Sequence, residues 1–134
     1  MNRHNLLRKR ACVMRMLFIL GLAVAIAGCG KGKYDDFSVP ALIEHLKDED
    51  PDIRCWAARS LGRSGSRAKE AVPALVEALN DPDKNVRLST AYALGDLGLT
   101  AREAVPALNK ALKDQDTSVR QAAAAALKSI QRKR

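Results

Sequence analysis

The residues best suited to chemistry in this chain are aspartates and arginines that recur as matched sets. An aspartate is followed six residues later by an arginine, and the pair returns at a step of 33 residues, as Asp48 and Arg54, Asp81 and Arg87, and Asp114 and Arg120. Paired charges of this kind can transfer protons or stabilise a charged intermediate. Because a catalytic site has no reason to recur in every copy, we interpret these residues as structural.

Other chemically useful side chains are scarce. Beyond the first 28 residues the sequence holds one histidine, His45, and two cysteines, Cys29 and Cys55. A zinc site built from protein ligands alone needs about four such residues, so we assign no metal, no cofactor and no catalytic residue, and we expect no enzymatic activity. We expect His45 to be a solvated surface side chain. Cys55 is expected to be a small packed residue, with an interchain disulfide or a covalent ligand as alternatives.

The elements that carry these residues also repeat. The segment Val-Pro-Ala-Leu begins at residues 39, 72 and 105, and each copy continues with an apolar helix face, a turn and a second apolar helix face. Periods of about 20 to 50 residues are typical of units that bury their apolar faces against their neighbours. The sequence therefore predicts an all-α solenoid of three helix-turn-helix repeats, which span residues 39–71, 72–104 and 105–134.

Residues with restricted backbone preferences predict where each helix begins and ends. Three prolines fit the opening turns of the first helices, where no amide hydrogen is needed: Pro40, Pro73 and Pro106. Three aspartates are placed to accept amide hydrogens at the start of the second helices: Asp50, Asp83 and Asp116. We expect four glycines to end the second helices of the first two copies: Gly62, Gly65, Gly95 and Gly98.

Together these residues resemble a known family. The pattern V-P-A-L-x3-L-x-D-x-D-x2-[IV]-R-x3-A-x2-L-G is similar to the bacterial HEAT repeat, in the short form also found in phycobilin lyase subunits, and it covers residues 39 to about 128. The resemblance implies an α-solenoid with the first helices on its convex side and the second helices lining its concave side. It also implies a binding scaffold whose repeated aspartates and arginines form a ladder between adjacent repeats, held by charge-assisted hydrogen bonds.

The first 28 residues have the pattern of a signal peptide. They hold five basic residues and no acid, and the basic region is followed by an apolar run over residues 16–27. A membrane-spanning helix requires about 20 apolar residues, so we do not expect this run to be a permanent span. The segment Ile26-Ala27-Gly28-Cys29 resembles the lipobox of bacterial lipoproteins, which implies cleavage before Cys29 and acylation of its thiol and new amine.

The lipobox hypothesis predicts a lipid-anchored protein of the bacterial cell envelope. Residues 29–38 would then be the lipidated N-terminus and tether, and palmitate would be among the acyl chains. Gly30 stands where some bacteria place the aspartate that retains lipoproteins at the inner membrane. In a Gram-negative source this favours the outer membrane, facing the periplasm. An ordinary secretory signal, or a buried helix that happens to end in cysteine, is the alternative.

The charge balance does not favour a nucleic-acid partner. The formal net charge is +8, but five of the 23 basic residues precede Cys29, which leaves 18 against 15 acidic residues. The repeats show no basic stripe interleaved with aromatic residues, the pattern typical of nucleic-acid surfaces. We therefore expect the partner to be another protein, with the membrane contacted through lipid on Cys29.

Positions that differ between the copies are the candidates for binding a partner, because the shared positions serve stacking. The candidates on the second helices are Trp56, Arg59, Arg63, Tyr92 and Asp96. Tryptophan, tyrosine and arginine are enriched at interaction hot spots. The alternative for Trp56 is that it covers the open end of the first repeat, an end that residues 34–37 are also predicted to cover.

These observations predict a membrane-anchored scaffold for protein interactions. One alternative is a structural element that extends or closes a larger repeat assembly through its ends. An enzymatic alternative is a bilin lyase or isomerase of the type that shares this repeat, with Cys55 or the concave face touching the tetrapyrrole. Such enzymes are longer and cytoplasmic, which the leader contradicts.

Overall fold

The computed structural model describes residues 38–132, in which short and long helices alternate. The α-helices are α1 (Val39–His45), α2 (Pro51–Arg63), α3 (Val72–Ala78), α4 (Lys84–Leu97), α5 (Val105–Ala111) and α6 (Thr117–Arg132). Two 3₁₀ segments, Gly65–Ala71 and Gly98–Ala104, join one repeat to the next. Residues 38–132 contain no strand, and the predicted all-α class built from helix-turn-helix repeats is confirmed.

The long helices begin where the aspartates were expected to cap them. The carboxylate of Asp50 accepts from the Asp52 amide at 2.9 Å, and that of Asp83 accepts from the Asn85 amide at 2.7 Å. Asp116 repeats the arrangement at the start of α6. Each cap satisfies an amide hydrogen that has no partner within its own helix, so the turn fixes the direction in which the second helix leaves.

The glycines divide into two pairs with different roles, and our expectation was wrong for one pair. Gly65 and Gly98 follow α2 and α4 with φ of +58° and +55°, a backbone conformation that favours glycine. Gly62 and Gly95, in contrast, lie inside α2 and α4. A Cβ atom on Gly62 would stand 2.8 Å from the Cα of Ala93 in the next repeat. Gly62 therefore allows two long helices to approach closely.

The long helices form the tighter of the two layers. Helices α2, α4 and α6 pack directly on one another, whereas each short helix packs on the long helix of its own repeat and on the 3₁₀ segments. The long helices are the second helices of the repeats, which the family resemblance predicts to line the concave side. The core between the layers is made of the same leucine in every copy, fully buried at Leu42, Leu75 and Leu108.

His45 is buried, contrary to our expectation of a solvated side chain. Only 4% of its surface is exposed, and its ring lies 5.8 Å from that of Trp56, at a tilt of 59°. The equivalent positions in the other repeats are Ala78 and Ala111, which are also buried. The position therefore faces inward in every copy. In the first copy the larger histidine side chain packs there against the ring of Trp56.

Several sequence predictions fall outside the described residues. They are the signal peptide over residues 1–28, the lipidation site Cys29, the part of the tether that precedes Ser38, and the covering segment at residues 34–37. Within residues 38–132, no helix combines the length and the apolar character that crossing a bilayer requires.

Candidate interaction surface

Two of the expected ladder contacts join neighbouring repeats. Arg54 donates from Nε to Oδ2 of Asp81 at 2.8 Å and from Nη2 to Oδ1 at 2.9 Å. Its Nη1 donates to the carbonyl of Asp48 at 2.7 Å and so holds the guanidinium against its own turn. The bidentate geometry is the strongest form of charge-assisted hydrogen bonding between these groups, and it fixes the second repeat on the first.

The second contact repeats the first one with the next pair of residues. Arg87 donates from Nε to Oδ2 of Asp114 at 2.8 Å and from Nη2 to Oδ1 at 3.0 Å. The hydrogen bond from Arg87 is the main cause that lowers the pKa of the Asp114 carboxyl, and the same bond raises the pKa of Arg87. The pair is mostly buried and links the second and third repeats.

Arg120 and Asp48, the remaining two residues of the expected ladder, make contacts of a different kind. Arg120 keeps the anchor to its own turn, at 2.8 Å from the Asp114 carbonyl, but its Nη2 donates to Oγ1 of Thr117 at 2.7 Å. Among the described residues no carboxylate accepts from Arg120. The Asp48 carboxylate accepts from the amide of Asp50 at 3.0 Å. The ladder thus has two contacts within residues 38–132, and they serve stacking.

Four of the five candidate binding residues are exposed on adjacent long helices, which the family resemblance predicts to line the concave side. Arg59 and Arg63 lie one turn apart on α2, and Tyr92 and Asp96 occupy the equivalent positions on the adjacent helix α4. All four are exposed, with Tyr92 at 53%. We call Arg59, Arg63, Tyr92 and Asp96 the concave patch. Its residues are held by helices that pack directly together, so their relative positions are fixed.

The fifth candidate, Trp56, is placed differently. It is half-buried, packs against the core and contacts His45. Its counterpart in the second repeat, Ser89, is buried within hydrogen-bonding reach of Cys55 in the first repeat. This position therefore faces the preceding repeat, and Trp56 lies on the N-terminal side of the stack. That location fits an end cover, and a binding role for Trp56 stays a prediction.

Sequence comparison of the copies missed two features of this side. Ser129 aligns with Arg63 and Asp96, yet its hydroxyl donates to the carbonyl of Gly95 at 2.8 Å and so joins α6 to α4. The other feature is Leu88, a partly buried side chain of α4 that packs on the core beside the concave patch.

Cys55 does not have the surroundings of a reactive thiol. It is half-buried on α2, and burial is the main cause that raises the pKa of its thiol. A raised pKa keeps the sulfur protonated at neutral pH, whereas nucleophilic cysteines are held as thiolates. Among the described residues, no group of three or more histidines, cysteines, aspartates or glutamates is placed to hold a metal ion.

Comparison with known proteins agrees with this architecture. The family model described as HEAT repeats matches residues 20–95 and residues 39–128. A crystal structure of an engineered protein from the Northeast Structural Genomics Consortium is similar, with 29% identity and a TM-score of 0.58. The similarity covers 69% of this chain and 44% of that one, so the chain spans less than half the length of that protein. No curated protein matches.

Proposed function

The chain belongs to the HEAT-repeat family, and from that premise we propose that it is a membrane-anchored scaffold that binds a protein partner through the concave patch. HEAT repeats generally serve as scaffolds for protein interactions. The observation that carries the proposal is the exposure of Arg59, Arg63, Tyr92 and Asp96, which no packing role accounts for. Residues that stack the repeats recur in every copy, and these four do not.

The chemistry of the patch describes the partner. Two exposed guanidinium groups on α2, those of Arg59 and Arg63, fit acidic side chains, because arginine binds carboxylates through parallel hydrogen bonds. Tyr92 offers an aromatic face with a polar tip, which suits an apolar residue beside a hydrogen-bonding group. The partner should therefore present an acidic residue opposite α2 and an apolar one opposite α4.

Rigid presentation is the proposed mechanism. The patch lies on helices α2 and α4, and these are joined by the Gly62 contact and by the Arg54–Asp81 pair. Neither helix has to be ordered when the partner arrives, so little conformational entropy is lost on binding apart from the side chains themselves. Specificity then comes from the residues that differ between the copies.

Binding of the scaffold at a membrane is proposed from the leader. The basic region, the short apolar run and the motif that ends in Cys29 together support a lipoprotein signal. Two or three acyl chains hold a protein stably at a bilayer, whereas one is marginal. The proposed location is the bacterial cell envelope, and the outer membrane facing the periplasm if the source is Gram-negative.

Labelled palmitate tests the anchor directly. Cells that express the full chain should incorporate the label into the wild type, and Cys29→Ser should remove it, because the thiol is the proposed acylation site. Cys55→Ser is the matched control and should label as the wild type does. Equal labelling of wild type and Cys29→Ser, or labelling of neither, would contradict lipid anchoring.

Capture from native membrane extract tests the concave patch. The double variant Arg59→Ala and Arg63→Ala should reduce the amount of co-purified partner, since truncation of a hot spot costs about 2 kcal/mol, or roughly 30-fold in affinity. Lys110→Ala with Lys113→Ala removes the same charge from exposed positions near α5 and should leave capture unchanged. If both double variants retain the partner equally, the patch is not the binding surface.

A further inference from the structure

The first two copies show which positions of a repeat contact the repeat that follows it. Gly62 contacts Ala93 of the second repeat, and Gly95 contacts Ala126 of the third in the same way. A Cβ atom on Gly95 would stand 3.2 Å from the Cα of Ala126. Lys128 occupies the equivalent position in the third repeat, 33 residues further on. The third copy thus has a long charged side chain where the others have none.

One more of these contact positions becomes polar in the third repeat, and another keeps its leucine but is exposed. Cys55 of the first copy contacts Ser89 of the second, and Gln121 takes its place in the third copy, where it is exposed. Leu46 and Leu79 are 6% and 5% exposed in the two repeats that are followed by another, whereas Leu112 of the third repeat is 38% exposed. The side of the third repeat that faces away from the second, which we call its outer face, thus has no neighbour among the described residues and carries Gln121 and Lys128 beside the exposed Leu112.

The arginine on this outer face is satisfied within its own repeat. Arg54 and Arg87 each hold a carboxylate of the following copy, but Arg120 donates instead to the hydroxyl of Thr117. The equivalent position carries Pro51 in the first copy and Lys84 in the second, and neither side chain can accept a hydrogen bond. Thr117 thus supplies the acceptor that a further repeat would otherwise bring.

We propose that the outer face of the third repeat is a capped end of the stack, on which no further repeat can pack. Lys128 is the residue that prevents a fourth repeat or a second copy of the chain from stacking there. Its Cβ atom would approach the backbone of a stacked helix as closely as a Cβ on Gly62 or Gly95 would. Its ammonium group would also be moved from water into a helix contact that offers it no partner, which is unfavourable because the lost hydration is not replaced.

A capped end at the third repeat would limit the surfaces through which the protein can bind a partner. Repeat arrays need terminal units with polar outer faces to stay soluble, and Gln121 and Lys128 provide one here. On this proposal a partner does not continue the stack beyond α6. The inference rests on the contacts between repeats alone, so it holds or fails separately from the proposed binding of a partner at the concave patch.

A tandem duplication tests the role of Lys128. In the full-length chain, a second copy of residues 96–128 is inserted after Lys128, which preserves the 33-residue step and makes that lysine internal. One version keeps the internal lysine, and the other carries Lys128→Gly at the internal position only. Both are compared with the unmodified chain by guanidinium unfolding in a mild detergent, and by hydrogen exchange of the inserted helices.

The two versions should differ clearly. With glycine inside, the four repeats should unfold together, and the dependence of the free energy of unfolding on denaturant should rise by roughly a third, because it scales with the surface exposed. With lysine at the internal position, the dependence of the free energy of unfolding on denaturant should stay at the value of the unmodified chain. The amide hydrogens of the inserted helices should then exchange rapidly. If the two versions behave alike, whether both stack or neither does, Lys128 does not prevent stacking and the proposal is overturned.

Discussion

Leucine in place of Gly62 is expected to lower the free energy of unfolding by about 3 kcal/mol or more, because overfilling a packed contact forces the backbone to move. A Cβ atom alone would stand 2.8 Å from Ala93 Cα and 3.3 Å from the Ala93 carbonyl oxygen. Both are backbone atoms, so no side chain can rotate away to relieve the contact. Helices α2 and α4 would have to separate along their length. Chemical denaturation followed by circular dichroism measures the effect.

Alanine at the two interior glycines gives a graded version of this test. Replacing glycine within a helix by alanine gains about 1 kcal/mol of helix propensity, and the gain is the same at both positions. The steric cost is not, since the approach is 2.8 Å at Gly62 and 3.2 Å at Gly95. Gly62→Ala should therefore be destabilising by about 1 kcal/mol, and Gly95→Ala should be close to neutral.

The matched control for the leucine variant is Ala125→Leu on α6. Ala125 is exposed, and changes at such positions usually alter stability by about 0.5 kcal/mol or less. A destabilisation by Ala125→Leu as large as that by Gly62→Leu would show that added bulk on any long helix is harmful. A stability of Gly62→Leu equal to that of the wild type would contradict the close contact between α2 and α4.

The fold could be predicted from the sequence because the signals that specify it are local and repeat. Pro73 and Asp83 indicate the start of a helix in any context, since one lacks an amide hydrogen and the other accepts one. The 33-residue step then shows that the same unit occurs three times. The all-α class and the capped long helices follow from these signals, whereas the Arg54 and Arg87 contacts with the following repeat were expected from the resemblance to HEAT repeats.

What could not be predicted depends on contacts between copies. A glycine such as Gly62 is consistent with a helix end when only its neighbours in sequence are known, and its contact with Ala93 is 31 residues away. The burial of His45 was misjudged from its polar side chain, although its position follows Leu42 by three residues and aligns with the buried Ala78 of the second copy. The exposed group Arg59, Arg63, Tyr92 and Asp96 was accessible to sequence reasoning, because surface positions are the ones free to differ between copies.

Methionine in place of Arg87 is the second change with a large expected effect, a loss of about 2–4 kcal/mol of stability at neutral pH. Methionine preserves much of the stem of arginine but removes five donors. The Asp114 carboxylate would then lose both guanidinium contacts while it stays mostly buried, with 12% of its side chain exposed. The carbonyl of Asp81 would lose its Arg87 donor as well.

Arg120→Met is the matched control for this variant. Arg120 has the same anchor to its own turn but donates to Thr117, and no described carboxylate accepts from it. Its replacement should cost about 1 kcal/mol or less, in line with the loss of ordinary hydrogen bonds. A cycle with Asp114→Asn should give a coupling energy of about 1–3 kcal/mol between Arg87 and Asp114. Equal losses for Arg87→Met and Arg120→Met would show that the ladder contact adds nothing to stability.

The pH dependence of the same pair gives an independent test with a definite sign. Arg87 lowers the pKa of the Asp114 carboxyl below its usual value of 3.8, so the unfolded chain takes up a proton at this group before the folded protein does. The stability that the pair contributes is present in full above that value and is lost as the pH falls through the lower pKa of the folded state. The difference in stability between the wild type and Arg87→Met should therefore be constant from neutral pH down to about 5 and should shrink at lower pH. A difference that stays constant below pH 4, or grows there, would show that Arg87 does not act through the ionised form of Asp114.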